Sequence, residues 1–150
     1  MYLDNFSDPG VRALWEKAVE LNLIVELHIG PEYGSQVREI LRDLPDTTIL
    51  IDHLAEPHKG DPIEFADILD LAKFKNVYMK LSGLNHFAND APHYESAIPF
   101  TRIVADTFGP ARLIWGSGSP EIVDIHLANW YEPARAKVKG ENLHNLLWKD

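Results

Sequence analysis

Four short apolar runs alternate with stretches of helical periodicity along this chain, and this alternation limits the fold more than any other feature. The predicted strands are residues 23–28, 48–53, 76–82 and 112–117. The first contains the continuous run Leu23 to Leu27, apolar except at Glu26, which is typical of a parallel strand buried on both faces. Parallel neighbours need a crossover connection, and the stretches between the runs suit one helix each. The sequence therefore predicts an α/β chain of four βα units.

Helix start and stop signals place the intervening helices. Asp8-Pro9 and Asp61-Pro62 each put a capping carboxylate before a proline at the first helical position. Gly109-Pro110 ends another helix. The predicted helices begin at Pro9 and Pro62, and others cover about 35–43, 97–108 and 132–148, the last interrupted at Gly140.

The length of 150 residues fits one domain with a single core, residues 1–150. A closed eight-stranded barrel typically takes about 250 residues, so four units cannot close one alone. Three arrangements remain open. The chain is part of a longer polypeptide, a half-barrel that pairs with another copy, or an open α/β sheet.

Composition excludes several classes of function. The formal charge of −9 without a Lys/Arg stripe argues against nucleic acid. No stretch approaches the roughly 20 apolar residues of a membrane span, and the first residues do not read as a secretion signal. The lack of cysteine removes thiolate chemistry. We expect a cytoplasmic protein with a small-molecule partner.

Polar side chains gather where the predicted strands end. His28 and His53 end the first two strands, and Lys80 and Ser82 end the third. Alternation along a strand puts Glu26 with His28, puts His53 with Ile49 and Ile51, and puts Lys80 with Tyr78 and Ser82. His28 and His53 are therefore candidate site residues, and the alternative is a purely structural role through hydrogen bonds to nearby backbone.

Glu26 interrupts an apolar run and is expected in the core, where an unpaired carboxylate would be protonated. Lys80, two strands away, is its candidate partner. The pair is either a structural ion pair or a catalytic acid and base. Desolvation would move either pKa toward neutrality, the range that general acid–base catalysis favours.

The loop 116–120 supplies Ser117 and Ser119 as candidate hydrogen-bond donors to substrate, although serines between glycines are also ordinary turn residues. The run contains neither a Gly-x-Ser-x-Gly elbow nor a phosphate-binding loop. The loop histidines His58, His86 and His93 face the same edge of the sheet, and His86 is a candidate substrate contact.

Three motifs in order resemble one family. They are Asp52-His-Leu-Ala-Glu-Pro57, Asn76-Val-Tyr-Met-Lys-Leu-Ser-Gly-Leu84 and Phe108-Gly-Pro-Ala-Arg-Leu-Ile-Trp-Gly-Ser117. They are similar to the C-terminal half of the amidohydrolase-related hydrolases and decarboxylases, a group that includes aminocarboxymuconate-semialdehyde decarboxylase-like enzymes and metal-independent lactonases.

The resemblance implies the four C-terminal units of a TIM barrel. It implies metal-ligand positions at His28 and His53, which are two of the about three protein ligands that catalytic zinc needs. The chain departs from the family in two places. It has no counterpart of the upstream His-x-His strand, and Gly118 stands where the last strand usually carries the catalytic aspartate. We therefore expect no bound cofactor, with a divalent metal such as zinc as the alternative.

The resemblance implies hydrolysis of a C–O or C–N bond in a small lactone or carboxylated substrate, or a related decarboxylation. In this reading His28 and His53 orient or polarise the substrate, Lys80 binds an anionic group, and only Glu26 is available as acid or base. The sequence leaves open whether the chain is an enzyme. The rivals are an inactive fragment or a module that binds a small anion or a partner chain, and a doubly wound signalling domain ranks below them.

Overall fold

The computed structural model describes residues 5–57, 65–116 and 119–148. Seven α-helices are defined in these ranges: α1 Pro9–Glu20, α2 Gly34–Asp43, α3 Ala66–Asp70, α4 Ile98–Phe108, α5 Glu121–His126, α6 Glu132–Ala136 and α7 Asn142–Leu147. A π-helical turn, Lys137–Glu141, joins the last two helices. Four single turns of 3₁₀ helix are Pro31–Tyr33, Leu71–Lys73, Leu84–His86 and Glu95–Ala97, and His53–Ala55 is a left-handed turn.

The four predicted strands form one parallel sheet in sequence order. They are β1 Ile24–Leu27, β2 Thr48–Ile51, β3 Val77–Leu81 and β4 Leu113–Trp115. Every neighbouring pair is parallel. The α/β half-barrel expected from the sequence is confirmed, and the order leaves β1 and β4 as its edges.

One face of the sheet packs against the helices. Ile49, Ile51 and Met79 are fully buried there with helical side chains such as Val37 and Val104. The opposite face, called the inner face below, carries Leu50 and Ile114 and packs on Leu146 of α7. The two faces separate because successive strand residues point to opposite sides.

Local signals fix the helix ends as predicted. The Asp8 carboxylate accepts hydrogen bonds from the backbone N–H groups of Gly10 and Val11 at 2.8 and 3.3 Å. Gly109, with φ of +78°, follows the last residue of α4. The predicted start at Asp61-Pro62 lies outside the described residues.

The C-terminal segment covers part of the β4 edge. The Asn142 side chain donates hydrogen bonds to the backbone oxygens of Pro110 and Leu113 at 2.6 and 2.7 Å. The predicted interruption at Gly140 is the π-helical turn, whereas α5 was not predicted. The strands end one to two residues earlier than predicted, which leaves His28, His53 and Ser82 in the segments that follow them.

Candidate active site at the carboxyl ends of the strands

Three histidines and a glutamate meet just beyond the carboxyl ends of β1, β2 and β3. The rings of His28 and His53 lie 5.0 Å apart between centroids, and those of His53 and His86 lie 5.1 Å apart. The Glu56 carboxylate oxygen Oε1 lies 2.6 Å from both His28 Nε2 and His86 Nδ1. An ionised carboxylate only accepts hydrogen bonds, so both ring nitrogens donate. Together with Ser82 these four side chains form the rim cluster.

His53 reaches the cluster through an unusual backbone. Residues 53–56 all have positive φ, between 46° and 60°, a backbone region that residues other than glycine seldom adopt. This left-handed turn takes His53 away from the buried face of Ile49 and Ile51, so the face that strand alternation assigned to it is wrong. His53 Nδ1 lies 2.8 Å from the Ser82 hydroxyl oxygen instead.

Gly83 leaves the space that His53 occupies. It has φ of +65°, and a Cβ there would stand 2.7 Å from Cβ, Cγ and Nδ1 of His53. Ser82 is 2% exposed, so the hydroxyl that contacts His53 is fixed by packing. The two residues after β3 therefore position the central histidine of the cluster.

The electrostatics of the rim cluster favour a neutral imidazole at His53 and a charged carboxylate at Glu56. Burial lowers the pKa of His53, and neighbouring His28 and His86 lower it further against the opposing charge of Asp52. Burial alone would raise the pKa of Glu56, but hydrogen bonds from His28 and His86 outweigh it and lower that pKa. A neutral histidine can orient or polarise a substrate carbonyl as donor, or accept a proton.

A charged group lies on the inner face, deeper along the strands. The Lys80 ammonium contacts the Glu26 carboxylate and stands 2.5 Å from Asp52 Oδ1. The predicted contact between Glu26 and Lys80 is thus present. Gly116 makes room for it, because a Cβ there would lie 2.2 Å from Lys80 Cδ.

Two expectations about this pair are wrong. The Glu26 side chain is 54% exposed rather than buried, because β1 is an edge strand. Burial would lower the pKa of Lys80, but the carboxylates of Asp52 and Glu26 outweigh it and raise that pKa away from neutrality. Lys80 is therefore a permanent cation, suited to binding an anion rather than to proton transfer.

The remaining predicted residues lie elsewhere or are not described. The Ser119 hydroxyl oxygen accepts a long hydrogen bond of 3.4 Å from the Glu121 N–H at the start of α5, which is a turn contact. His93 Nε2 lies 3.8 Å from Glu121 Oε2 and outside the rim cluster. Ser117, Gly118 and His58 lie outside the described residues. These roles stay predictions.

Sequence reasoning missed Glu56 and gave Asp52 no role in the site. Both follow β2, which ends at Ile51, in the run Asp52-His-Leu-Ala-Glu56, where polar residues after a strand signal a site. The missing information was the left-handed turn, since the spacing alone does not show that Glu56 folds back onto His28 and His86. No glycine marks that turn in the sequence.

The resemblance implies metal ligands at His28 and His53, and both rings lie in the rim cluster. Glu56 engages one nitrogen each of His28 and His86, and Ser82 engages Nδ1 of His53, so these contacts use one nitrogen of each ring. Across residues 5–57, 65–116 and 119–148, no group of three or more His, Asp or Glu side chains is arranged to hold a metal ion. The ligand roles of His28 and His53 therefore stay predictions, and the function proposed below uses no metal.

Comparison with known proteins gives the family. The family model described as Amidohydrolase matches residues 2–148. The chain belongs to the amidohydrolase family. The resemblance carried by the three sequence motifs is thereby confirmed.

Two curated relatives have names that refer to lactones. The chain is 32% identical over 115 residues to a 4-sulfomuconolactone hydrolase from Hydrogenophaga intermedia, covering 72% of this chain and 37% of that protein. It is 32% identical over 120 residues to an L-fucono-1,5-lactonase from Burkholderia ambifaria, covering 78% and 41%. The chain thus spans about two fifths of the length of these relatives.

Solved structures of amidohydrolases share the fold. A candidate 2-pyrone-4,6-dicarboxylic acid hydrolase from Pseudomonas putida superposes with a TM-score of 0.76 and 23% identity, covering 97% of this chain and 59% of that one. An amidohydrolase from Burkholderia multivorans with bound zinc gives 0.75 and 18%, covering 93% and 57%. None of the described helices has the length and apolar character to cross a membrane. The cytoplasmic location and the single-domain assignment stay predictions.

Proposed function

We propose that this chain carries the substrate-binding rim of a hydrolase that opens a small carboxylated lactone. The observation that carries the proposal is the stacking of two layers on one side of the sheet. The rim cluster, with neutral His53 at its centre, lies beyond the strand ends, and the permanently charged Lys80 lies below it. The upper layer suits a polarised carbonyl, and the lower layer suits an anion.

The spacing of the layers matches a small ring. Lys80 in β3 precedes Ser82 by two residues, and Glu26 in β1 precedes His28 by two. Two residues of strand advance about 6.6 Å. On this backbone spacing, we expect a single lactone ring with a carboxylate substituent to reach from Lys80 to the rim cluster.

The relatives support a lactone over other substrates. The names 4-sulfomuconolactone hydrolase and L-fucono-1,5-lactonase each describe a protein that acts on a lactone. The first of these names also includes an anionic substituent. We carry the lactone to this chain as a proposal, alongside hydrolysis of a C–N bond and decarboxylation as the wider range of chemistry that the sequence allows.

The proposed reaction adds water across the ring ester. A water oxygen bonds to the carbonyl carbon and gives up one proton, the ring C–O bond breaks, and the released alkoxide takes up one proton, so the net addition of one water gives a hydroxy acid. With Nδ1 accepting a hydrogen bond from the Ser82 hydroxyl, His53 has its Nε2–H available to polarise the carbonyl, and His28 orients the ring. Glu56 fixes the orientation of His28 and His86 through its two hydrogen bonds.

A lactone panel tests the proposal with the 150-residue chain itself. Ring opening is followed by the acid released from γ- and δ-lactones with and without a ring carboxylate. We expect turnover of carboxylated lactones and a loss of at least about tenfold in kcat/KM in His53→Gln, since removal of one preorganised contact of this kind costs about 10²-fold or more. His144→Gln, which changes an exposed histidine on α7, is the matched control. Absence of turnover, or equal rates in both variants, would overturn the proposal.

An anion-binding module is the second candidate function. It is favoured by the hydrogen bonds of His28 and His86 to Glu56, because these bonds occupy the N–H groups that would otherwise contact a substrate. Saturable carboxylate binding at Lys80 together with the absence of lactone turnover is the result that this reading expects.

A further inference from the structure

Lys80 is shared by two carboxylates that differ in their surroundings. The Asp52 side chain is 15% exposed and the Lys80 side chain 18%, whereas the Glu26 side chain is 54% exposed. Asp52 is thus a fixed counter-ion packed beside the lysine. Glu26 reaches the same ammonium with a half-exposed side chain, so it loses less burial than Asp52 would when it leaves the lysine.

A cavity adjoins the Glu26 side of Lys80. Its volume is about 580 Å³, and its lining includes Glu26, Lys80 and Gly116 together with apolar Leu50 and Ile114. This size lies within the range of about 300–1,000 Å³ that small-ligand pockets have. Apolar walls with a few convergent charged groups, here Glu26, Lys80 and Lys139, suit a small ring that carries an anion.

Lys139 is the second cation at this cavity, but it already has a partner. Its ammonium lies 2.6 Å from Asp124 Oδ2, and Arg135 contacts the other oxygen of the same carboxylate at 3.1 Å. Lys139, Arg135 and Asp124 together carry one net positive charge, so an anion that enters the cavity can bind at Lys139 as well as at Lys80. Lys80, Glu26 and Asp52 together carry one net negative charge.

We infer that Glu26 holds the position of the substrate carboxylate on Lys80 and must be displaced for a carboxylated ligand to bind. Glu26 is then a specificity-determining residue. It keeps neutral ligands off Lys80 and yields to a carboxylate whose ring packs on the apolar wall of the cavity at Leu50 and Ile114. This inference rests on the anion-binding role that the proposed function gives to Lys80.

Calorimetric titration with glutarate, a non-reactive dicarboxylate, tests the inference. Glu26→Gln removes the competing charge but keeps the shape, so we expect its Kd to fall about tenfold, which corresponds to about 1.4 kcal/mol. Glu20→Gln is the matched control, because Glu20 is also an exposed carboxylate (63%) paired with a lysine, Lys17. Its Kd should equal that of the unaltered chain.

A spectroscopic readout on the unaltered chain removes any dependence on how the variants fold. The ¹⁵Nζ signal of Lys80 should shift saturably with glutarate, and a Gly116→Ala variant should bind more weakly, because its Cβ would displace the Lys80 stem. Unchanged or weaker binding in Glu26→Gln, or a Lys80 signal that does not respond, would overturn the inference.

Lactone kinetics separate this inference from the proposed function. If Glu26→Gln binds glutarate more tightly and no lactone is opened, the hydrolase proposal fails and the displacement inference stands. If carboxylated lactones are opened with the same KM in Glu26→Gln and in the unaltered chain, the hydrolase proposal stands and the inference fails.

Discussion

The imidazole nitrogen Nδ1 of His53 lies 2.8 Å from the hydroxyl oxygen of Ser82, so a side-chain hydrogen bond joins the segments that follow β2 and β3. Ser82 is buried, and His53 lies in a left-handed turn. This contact places the central ring of the rim cluster midway between His28 and His86.

Gly83→Ala should displace His53. The new Cβ would stand 2.7 Å from three atoms of that side chain, at a backbone φ of +65°. We expect the variant to lose about 1–2 kcal/mol from the left-handed backbone alone, with a further loss from the clash, and to alter the His53 ring signals in NMR spectra. Gly109→Ala is the control, since it also has a positive φ but meets nothing within 4 Å. Unaltered His53 signals in Gly83→Ala would contradict the packing described.

The stability of the fold should depend on pH through His126. Its side chain is fully buried, lies 2.9 Å from the Thr101 hydroxyl oxygen and donates from Nε2 to the backbone oxygen of His93 at 2.7 Å. Burial lowers its pKa below the ordinary 6.5. The unfolded chain therefore binds the proton first as pH falls, and the free energy of unfolding should decrease below about pH 6.5.

Urea unfolding at pH 8 and pH 5.5 measures this effect. His126→Gln should show a smaller decrease in unfolding free energy between the two pH values than the unaltered chain, whereas exposed His144→Gln should show the same decrease. An equal decrease in unfolding free energy in all three proteins would show that His126 does not cause the pH dependence.

Asn142 should anchor the C-terminal segment on β4. Asn142→Ala removes two donors and leaves the oxygens of Pro110 and Leu113 without them. Each buried unsatisfied group costs about 1–3 kcal/mol, so we expect a loss of about 2–4 kcal/mol in the free energy of unfolding. Asn76→Ala, which removes a single long contact of 3.4 Å to Pro45, should stay within about 0.5 kcal/mol. Similar losses in both variants would contradict this anchoring.

The sheet edges predict association. β1 and β4 are the edge strands, and exposed strand edges pair with other chains. We propose that a second copy of the chain covers them. Light scattering across a dilution series should show a species larger than the 17.0 kDa chain. A monomer that persists at all concentrations would contradict the proposal.

The sequence predicted the fold well because its signals were local. The Asp8 cap, the Gly109 stop and the four apolar runs each act within a few residues, and the parallel order follows from the alternation of strands and helices. The site was less predictable. His28, His53, Lys80 and Ser82 could be found at strand ends, but the contacts of Glu56 depend on four consecutive left-handed residues that carry no glycine.

The exposure of Glu26 was not predictable for a different reason. Burial of a strand residue depends on which strands lie at the edge and on what covers the inner face, and both are properties of the whole sheet. The apolar run around Glu26 indicated a core position, whereas its side chain is 54% exposed.

Turnover of a carboxylated γ-lactone and of its methyl ester, compared in the same assay, shows most plainly whether the chain opens lactones and whether Lys80 binds their carboxylate. We expect kcat/KM for the carboxylate form to be at least about tenfold higher than for the ester, because a charge-assisted contact with Lys80 contributes about 1.5–3 kcal/mol. Lys80→Met should abolish this preference. Lys73→Met should keep it, because Lys73 is an exposed lysine paired with Asp70. Equal kcat/KM for acid and ester, or no ring opening of either, would contradict both roles.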